Sequence, residues 1–513
     1  MEKKPSRAKS ARYAVGVDSG TQGTKVLVVD LDSGRVAGRG YAPHEMIPGL
    51  GPGASEQDPA TWARAMEKAL TAALRASRIE PKRVVSLGVS GQQHGFVPLD
   101  GKGRPIRPAK LWNDTSTIEE TEELLARLGG KKGWIRKLGI APAVGYTISK
   151  VLWLKRHEPE NYAKLAAVLL PHNYLNYHLT GRIHMEYGDA SGTGLMDIRR
   201  RRWSPEAVRA VDPSLAVKLP RLSPPAQPVG LIKKSVAARF GFGKVLVSAG
   251  GGDNMMGAVG SGNVKPGVFS LSLGTSGTVY SYSAKPFVDP RGEIAAFCDS
   301  TGGWLPLLCT MNVTNTTELV KALFKIDNAR LEALARSAPV GAGGLLFLPF
   351  VDGERVPALP FASAVLFGLD RGSFDRASIA RAVMEGAILN LGYGVARMRE
   401  LGLEPGQIRA TGGGAKSRLW LRIAADVLGA PVVTLQEQEA AAFGAALQSI
   451  WCFLREKDET VTIAEITDER VALGKLAAEP DPANAGTYAE LQKRFNSLWK
   501  RLVPEFKARR AGG

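Results

Sequence analysis

The first hundred residues alternate between short apolar runs and one long amphipathic segment. Ala14 to Val17 and Val26 to Asp30 are β-rich runs on either side of a Gly/Thr loop, which predicts a hairpin. A helix is predicted from Asp58-Pro59, an N-cap residue followed by proline. Its apolar residues recur at helical spacing: Trp62, Met66, Leu70 and Leu74. A further strand is predicted from Val84 to Val89, so the order is β, β, α, β, which indicates an α/β fold with helices packed on a sheet.

The chain also contains an internal similarity. The segment from Val17 to Thr24 is repeated in its second half from Leu271 to Thr278, and β-rich runs flank both copies. The repeat predicts two half-molecules that each open with a strand, a Gly/Thr loop and a second strand. Both loops would face one cleft, and the predicted boundary lies near Gly262 to Gly267, where Asn, Pro and Gly cluster.

Length and composition narrow the class of protein. A chain of 513 residues is longer than a single domain usually runs, and 44% hydrophobic with 23% charged residues is ordinary for a globular protein. Cys298, Cys309 and Cys452 are too few and too scattered for a disulfide framework or a metal site, so they are predicted to be core thiols. No apolar stretch is long enough to span a membrane, and a cytoplasmic location is expected.

The net charge of +18 raises the question of nucleic-acid binding. The two tails account for much of it, because residues 1–12 and residues 499–513 each hold five Lys/Arg against one Glu. Another basic block, Arg199 to Arg202, is expected in a loop. Without a recognition module or aromatic platform, the excess predicts a solvated surface that suits anionic substrates, and no nucleic-acid partner. Residues 1–12 are expected to form a disordered tail.

The first Gly/Thr loop carries groups suited to a polyphosphate and a cation. Gly20 and Gly23 let backbone amides approach phosphate oxygens, while Thr21 and Thr24 add hydroxyl donors. At its two ends the loop offers an acid and a cation for Mg²⁺ and phosphate: Asp18 and Lys25. A plain hairpin turn is the alternative. The second copy, Gly274 to Thr278, lacks the acid and the lysine, and such a pair fits two loops that clamp one polyphosphate.

A triple glycine marks a second candidate for nucleotide contact. Gly412, Gly413 and Gly414 follow the short strand Ile408 to Thr411 and precede a predicted helix, Ser417 to Leu428. Backbone amides at a helix N-terminus attract phosphate. The spacing is not that of a dinucleotide fingerprint, so an ordinary strand-to-helix turn stays open as the alternative.

Two strand ends carry polar groups suited to a sugar. Asp253 follows three glycines and an apolar run, where a carboxylate could accept the proton of an attacking hydroxyl, although an N-cap role is the alternative. Gln93 and His94 follow the strand at 84–89, and Trp112 comes shortly after. Amides, imidazole and an indole face hold sugars through hydrogen bonds and stacking. A single histidine is more often a core or surface group.

Together these motifs resemble the FGGY family of carbohydrate kinases, over about Val15 to Leu447. Within that family the chain is most similar to the kinases that phosphorylate D-xylulose. The matching segments, in order, are Asp18 to Lys25, Ser55 to Pro59, Gly91 to Gly95, Leu111 to Asp114, Gly250 to Asn254, Leu271 to Gly277, Leu348 to Pro357 and Gly412 to Ser417.

The resemblance implies two actin/hexokinase-like (ribonuclease H-like) lobes with ATP, Mg²⁺ and a sugar in a central cleft. It implies that Asp253 is the catalytic base, that Asp18 supports Mg²⁺, and that Lys25 and Thr21 meet the transferred phosphate. The implied nucleotide contacts are Gly274, Thr275, Gly413 and Gly414, and the implied sugar contacts are Gln93, His94, Trp112, Asp253 and Asn254. The expected units are residues 13–262, 263–480 and a C-terminal helix with a basic tail at 481–513.

The substrate expected from the resemblance is D-xylulose, converted to D-xylulose 5-phosphate. The family's glycerol kinases have Arg-Glu where this chain has Gln93-His94, which argues against glycerol. Its xylulose-specific members usually have Met at the position of Gln93, so a kinase of ribulose, fuculose, another ketose or a polyol is an alternative. An actin-like sensor that binds sugar and nucleotide without catalysis is a second alternative. A monomer and a homodimer are both compatible with the sequence.

Overall fold

The structure is a computed structural model that describes residues 11–511, apart from the side chains of the last residues and of two in the final strand. The first lobe is built on a seven-stranded sheet with the order β13-β14-β5-β1-β2-β3, in which β15 also pairs with β5. Its strands are β1 (Tyr13–Ser19), β2 (Gly23–Asp30), β3 (Val36–Pro43), β5 (Val84–Gly91), β13 (Gly230–Leu231), β14 (Leu246–Val247) and β15 (Gly251–Gly252).

The second lobe is built on another seven-stranded sheet with the order β18-β19-β17-β16-β22-β23-β24. Its strands are β16 (Val268–Leu273), β17 (Gly277–Ser281), β18 (Ala295–Cys298), β19 (Trp304–Thr310), β22 (Gln407–Thr411), β23 (Val432–Leu435) and β24 (Leu473–Ala478). Two-stranded pairs complete the β-structure of the described residues: β4 (Glu56–Gln57) with β7 (Ala109–Lys110), β6 (Val97–Leu99) with β8 (Ala167–Leu169), β9 (Met185–Glu186) with β12 (Leu222–Ser223), β10 (Met196–Asp197) with β11 (Arg202–Trp203), and β20 (Leu346–Leu348) with β21 (Val365–Phe367).

Helices cover the faces of both sheets. In the first half of the chain they are α1 (Pro59–Ser77), α2 (Ile118–Arg127), α3 (Gly130–Leu138), α4 (Thr147–His157), α5 (Pro159–Lys164), α6 (Pro171–Thr180), α7 (Tyr187–Ser191), α8 (Pro205–Val211), α9 (Lys234–Phe240) and α10 (Asp253–Gly260). In the second half they are α11 (Thr314–Phe324), α12 (Asn328–Ser337), α13 (Arg376–Glu400), α14 (Arg418–Leu428), α15 (Ala440–Arg455), α16 (Ile463–Arg470) and α17 (Pro482–Ala511).

The two sheets share one topology, as the internal similarity predicted. In each, a central strand pairs antiparallel with its hairpin mate and parallel with a later strand: β1 with β2 and β5, and β16 with β17 and β22. A third antiparallel strand follows each hairpin, β3 in one sheet and β19 in the other. The duplicated two-lobe α/β fold is therefore confirmed. The predicted order β, β, α, β was wrong in one respect, because two further strands, β3 and β4, precede the first helix.

Strand β3 pairs with β2, and helix α1 packs closely on it. Gly38 and Gly40 lie so near the backbone of α1 that an added Cβ would overlap the carbonyl oxygens of Ala73 and Ala69. The helix itself begins as predicted, with the Asp58 carboxylate accepting a hydrogen bond from the Ala60 amide at 2.9 Å. Such a cap stabilises a helix by ~1 kcal/mol.

Helix α15 belongs to the second half of the chain but packs on the sheet of the first lobe, against β1 and β5, and on helix α10. The approach is backbone to backbone. A Cβ added to Gly16 or Gly88 would overlap a carbonyl oxygen of α15, and one added to Gly444 would overlap the Met256 carbonyl of α10. The predicted division at residues 262 and 263 therefore does not separate the contacts of the two lobes at this helix.

Three expectations about charge and cysteine need correction or comment. Arg199 to Arg201 lie in the turn between β10 and β11, and Arg202 begins β11. Arg201 lies over the Trp304 ring, 4.0 Å from its centroid, so the block is not simply solvated. Cys298 and Cys452 are buried as predicted, whereas Cys309 is half-buried and accepts a hydrogen bond from Arg355 at 3.3 Å.

The predicted disordered tail, residues 1–12, falls mostly outside the described residues. Among the described helices, none combines the length and hydropathy of a membrane span.

Candidate active site

The first hairpin places an acid and a base side by side. Asp18 on β1 and Lys25 on β2 are cross-strand partners. The Asp18 carboxylate accepts a hydrogen bond from the Ser90 hydroxyl at 2.8 Å, and burial raises its pKa above the usual value. Lys25 Nζ lies 2.5 Å from a carboxylate oxygen of Glu439, at the start of α15. Burial lowers the pKa of Lys25, but Glu439 outweighs burial and leaves that pKa raised.

The tip of this hairpin is held by polar side chains of neighbouring segments. The Thr21 hydroxyl donates to Gln92 at 3.1 Å and accepts from the indole N–H of Trp112 at 3.0 Å. The Trp112 side chain is exposed, so part of it can contact a ligand. Thr24, by contrast, is buried and donates to the Ser19 hydroxyl, so it supports the hairpin. At Gly23 an added Cβ would come within 2.6 Å of the Tyr41 ring, which explains the glycine without a ligand.

Asp253 is the first residue of α10, directly after the three glycines. The N-cap is Gly252, so the alternative role of Asp253 as an N-cap is wrong. Its Oδ1 accepts the backbone N–H of Asn254 at 2.8 Å, which leaves Oδ2 to accept from a substrate hydroxyl. Burial raises the pKa of Asp253 to about 7; the negative charge of Asp18 adds to the increase, as does Asp189 to a smaller extent. A carboxylate that titrates near neutral pH is suited to act as a general base.

Gln93 and Asn254 form a polar wall beside Asp253. The Asn254 amide donates to Gln93 Oε1 at 2.7 Å. Gln93 Nε2 is buried and has no hydrogen-bond partner among the described residues. A buried donor without a partner is costly, so it marks a place where a hydroxyl group would bind.

His94 is a neutral imidazole in this site. Its Nδ1 lies 2.8 Å from the carbonyl oxygen of Gly192, which can only accept, so Nδ1 carries the proton and Nε2 is an acceptor. Burial and the nearby Lys150 lower the pKa of His94 to about 3. Its ring stacks on Tyr146 with centroids 4.5 Å apart, and Phe297 lies at 5.7 Å. An aromatic wall therefore fixes the ring orientation.

The second lobe contributes two glycine loops next to each other. Gly274 and Thr275 form the turn between β16 and β17, and their carbonyl oxygens accept from the amides of Thr314 and Val313 at 3.0 Å each. The triple glycine follows β22, the neighbour of β16, and a Cβ added to Gly412 would come within 2.7 Å of the Leu273 carbonyl. Around Gly413 nothing lies within 4 Å of such a Cβ, and Thr275 is exposed. The two loops thus present open backbone on one edge of the sheet.

Arg355 brings a cation from the second lobe toward His94 and Tyr146. It lies in the segment after β20, and its guanidinium donates to Cys309 on β19. Its positive charge contributes to the lowered pKa of His94 and opposes the raised pKa of Tyr146, so it lies near both. The negative charge of Asp253 in turn contributes to a raised pKa of Cys309, so these two residues lie near each other. The cleft is therefore lined from both lobes.

A buried chain of polar groups lies behind Asp253. Asn173 Nδ2 donates to His172 Nε2 at 2.8 Å, and His172 Nδ1 donates to Asp189 Oδ2 at 2.7 Å. Asp189 Oδ1 has no hydrogen-bond partner among the described residues, and it would lie 3.1 Å from a Cβ on Gly252. Glu186, nearby, has a pKa raised to about 8 by burial.

The sequence analysis named acids and loops at strand ends. The structure places Asp18 close enough to act on the pKa of Asp253 and bonds Asn254 to Gln93, while the two glycine loops follow neighbouring strands of the second lobe. The sequence analysis missed Glu439, Asp189, Lys150 and Arg355. Arg355 stands inside a quoted motif, Leu348 to Pro357, and could have been found there. The other three lie outside the quoted motifs, and only the fold brings them to the site.

Comparisons with known proteins agree with this geometry. Residues 13–260 match the N-terminal domain of the FGGY family of carbohydrate kinases, and residues 269–452 match its C-terminal domain. The chain is 46% identical to a xylulose kinase of Haemophilus influenzae over 85% of this chain and 90% of that protein. It is 38% identical to a xylulose kinase of Streptomyces coelicolor over 85% and 87% of the two chains.

Solved structures show the same fold. The crystal structure of xylulose kinase from Bifidobacterium adolescentis matches with a TM-score of 0.81 at 31% identity, over 94% of this chain and 99% of that one. That from Rhodospirillum rubrum matches with a TM-score of 0.88 at 28% identity, over 97% and 100%. With both of its domains matched, the chain belongs to the FGGY family of carbohydrate kinases, which transfer phosphate from ATP, with Mg²⁺, to an alcohol group.

Proposed function

We propose that the chain phosphorylates D-xylulose to D-xylulose 5-phosphate, with Asp253 as the general base. The observation that carries the proposal is the position of Asp253. Its carboxylate lies between the polar wall of Gln93 and Asn254 and the charged hairpin of Asp18 and Lys25, its pKa is raised, and Oδ2 is left to accept from a substrate. The printed names of the similar proteins supply the sugar.

The chemical step follows from this placement. The hydroxyl oxygen of the sugar forms a bond to the γ-phosphorus of ATP while its proton moves to Oδ2 of Asp253. The bond from that phosphorus to the oxygen bridging to the β-phosphate breaks, and ADP leaves with that oxygen. Lys25, a cation whose pKa is raised, opposes the negative charge of the transferred group. His94, a neutral acceptor at Nε2, orients another hydroxyl of the sugar.

Mg²⁺ fits the residues around the first hairpin. The negative charge of Asp18 contributes to the raised pKa of Asp253, and a cation between the two carboxylates would relieve that repulsion. The described residues contain no group of three acid, His or Cys ligands, which agrees with a Mg²⁺ that takes one or two carboxylates and completes its shell with phosphates and water. Asp18 would hold it, and when bound it neutralises charge on the phosphates.

The nucleotide is assigned to the glycine loops of the second lobe. Gly274 and Thr275 have open backbone next to Gly413 and Gly414, and flexible glycine backbone can approach phosphate and ribose closely. On the first hairpin, Thr21 is the hydroxyl that can meet phosphate, by turning its proton from Gln92 to a phosphate oxygen, since Thr24 is buried against Ser19.

A panel of sugars tests this function. The wild-type protein is mixed with ATP, Mg²⁺ and, in turn, D-xylulose, D-ribulose, L-fuculose, a polyol and glycerol, and ADP release is measured. D-xylulose is expected to give the highest kcat/KM and glycerol no stimulation. A ketose with a higher kcat/KM than D-xylulose would be the substrate in its place. Binding of sugar and ATP without ADP release would support a sensor.

Gln93 gives the panel a sharper comparison. It adds an amide where the xylulose-specific family members usually have Met, and its Nε2 needs an acceptor. Gln93→Met should therefore change the ranking of the ketoses by altering one hydrogen bond. Identical rankings in the wild type and the variant would show that Gln93 does not contact the sugar.

The remaining assignments are proposals of the same standing. We place the enzyme in the cytoplasm, where ATP is supplied, and assign it no nucleic-acid or membrane partner, because part of its basic excess is engaged in contacts such as that of Arg201 with Trp304. We also propose a homodimer as the alternative to a monomer, and light scattering would tell the two apart.

A further inference from the structure

Lys150 is a lysine with no exposed surface on helix α4, and its amine contacts the backbone of His94. Its Nζ donates to the carbonyl oxygen of His94 at 2.7 Å and to that of Gly145 at 2.5 Å. Lysine is seldom fully buried, because its charge is strongly hydrated. A buried lysine with two such hydrogen bonds therefore indicates a specific role for its amine.

Both carbonyls belong to backbone that needs support. His94 has φ of 61°, a left-handed conformation that side chains other than glycine rarely adopt. The Thr147 hydroxyl also donates to the His94 carbonyl, at 3.1 Å. Gly145 has φ of 92° and packs so close to Trp112 that an added Cβ would overlap the Trp112 carbonyl oxygen. Lys150 thus joins the backbone of His94 to the turn that abuts Trp112.

We propose that Lys150 is a positioning residue for sugar binding: its amine holds His94 in the left-handed conformation and fixes the Gly145 turn, which together direct the His94 ring and the Trp112 indole toward the sugar. The proposal rests on the proposed function. Lys150 itself contacts carbonyls and not the substrate. Two N–H bonds are enough for its two carbonyls, so the amine can hold them with or without its charge.

The charge state is consistent with this arrangement. Burial lowers the pKa of Lys150 well below the usual value, and Lys110 lowers it further, while Asp114 opposes them. Lys150 in turn contributes to the low pKa of His94. The imidazole therefore stays neutral, with Nε2 free to accept from a sugar hydroxyl.

Lys150→Met tests the proposal, because methionine keeps most of the volume and removes the donors. We expect KM for the sugar to rise roughly tenfold, which corresponds to about 1.4 kcal/mol, while kcat and KM for ATP change little. Lys110→Met is the matched control, since Lys110 is also buried but bonds to Asp114 and Ser116. It is expected to lower the melting temperature and to leave the ratio of the two KM values unchanged.

A second variant keeps the test decisive if Lys150→Met does not fold. Thr147→Val removes the other donor to the His94 carbonyl with little change in shape, and a smaller rise in KM for the sugar is expected. A folded Lys150→Met protein with wild-type sugar KM, or with a loss confined to kcat, would overturn the proposal. So would an unfolded Lys150→Met together with an unaffected Thr147→Val.

Histidine-selective NMR separates this inference from the proposed function. In Lys150→Met the His94 ring signals, assigned by their loss in His94→Gln, should shift and broaden relative to the wild type, because the His94 backbone has lost a donor to its carbonyl oxygen and the ring is held less firmly. If no sugar stimulated ADP release in the wild type, the proposed function would fail, and unchanged His94 ring signals would still separately refute the placement of Lys150.

Discussion

The two Gly/Thr hairpins occupy the same place in two sheets of one topology, but only one of them carries charge. In the first, Asp18 faces Lys25 across the strands; in the second, the facing residues are Ser272 and Thr278. The same contrast appears at the two helices that follow the last parallel strands. Asp253 begins α10 and has an oxygen free, whereas Glu439 precedes α15 and is paired with Lys25. A duplicated scaffold does not need these charges to fold, so their one-sided placement is a mark of chemistry.

The sharpest test of this asymmetry compares the two acids at equivalent helix starts. Asp253→Asn keeps the shape but removes the base, so kcat should fall on the order of 10²- to 10⁴-fold while sugar and ATP still bind. Steady-state turnover and calorimetric binding measure the two quantities separately. Near-normal turnover in a folded Asn variant would show that Asp253 is not the base.

Glu439→Gln is the matched variant. It breaks a partly exposed ion pair with Lys25, and such pairs contribute ~0.2–1 kcal/mol. The fall in kcat should therefore not exceed about fivefold. Equal losses in the two variants would mean that the two helix starts do not differ in function.

The next largest effect is expected when the first hairpin is converted to the second. The double variant Asp18→Ser with Lys25→Thr gives both hairpins the same facing pair. Threonine and serine fit the strands, so the melting temperature should change little, but kcat should fall on the order of 10²- to 10³-fold because charge stabilisation is lost. The control is Ser272→Ala, for which a near-normal kcat is expected. Retained turnover in the double variant would remove the hairpin from the mechanism.

A smaller effect is expected on the pH profile. Asp253 must be deprotonated to act, and its pKa is raised to about 7, so kcat/KM for the sugar should rise with pH through about 7 and then level off. The charge of Asp189 contributes to the raised pKa, so Asp189→Asn should move this limb to lower pH. Asp197→Asn, a change at another buried acid, is expected to leave the limb in place. A limb that moved upward in Asp189→Asn would contradict the assignment.

The smallest effect is expected at the N-terminus. Removal of residues 1–10 should leave kcat and both KM values unchanged, because the site begins at Asp18 and the segment has no apolar periodicity. Arg12 is kept in this variant, since its carbonyl accepts from the Leu31 amide and its guanidinium lies over the Phe453 ring. A large loss of activity with the fold intact would assign the basic segment a role.

The sequence predicted the parts of the molecule that depend on local signals. The hairpin and helix α1 follow from apolar spacing and capping at Asp58, and the glycines mark both loops of the second lobe. Strand β3 was missed because Gly38 and Gly40 interrupt its apolar pattern. Those glycines are there for the close approach of α1, which is a tertiary cause that no local pattern reveals.

The site was predicted to the same extent and for the same reason. Asp18 and Asp253 stand at strand ends with glycines beside them, so their sequence neighbours reveal them. Lys150 has no motif around it, and its partner His94 is distant in sequence, as Glu439 is from Lys25. Such partners are set by the meeting of distant segments, and only the folded chain shows them.

The glycine contacts of helix α15 bear on how much sequence change the enzyme tolerates. Gly16 lies two residues before Asp18, Gly444 lies against the helix that Asp253 begins, and Glu439 precedes α15 itself, so one backbone-to-backbone joint sets the spacing of three acids. A single extra methyl group at this joint has no flexible side chain to displace and must move a main chain. Substitutions as mild as glycine to alanine at this joint would therefore change the distances between Asp18, Asp253 and Glu439.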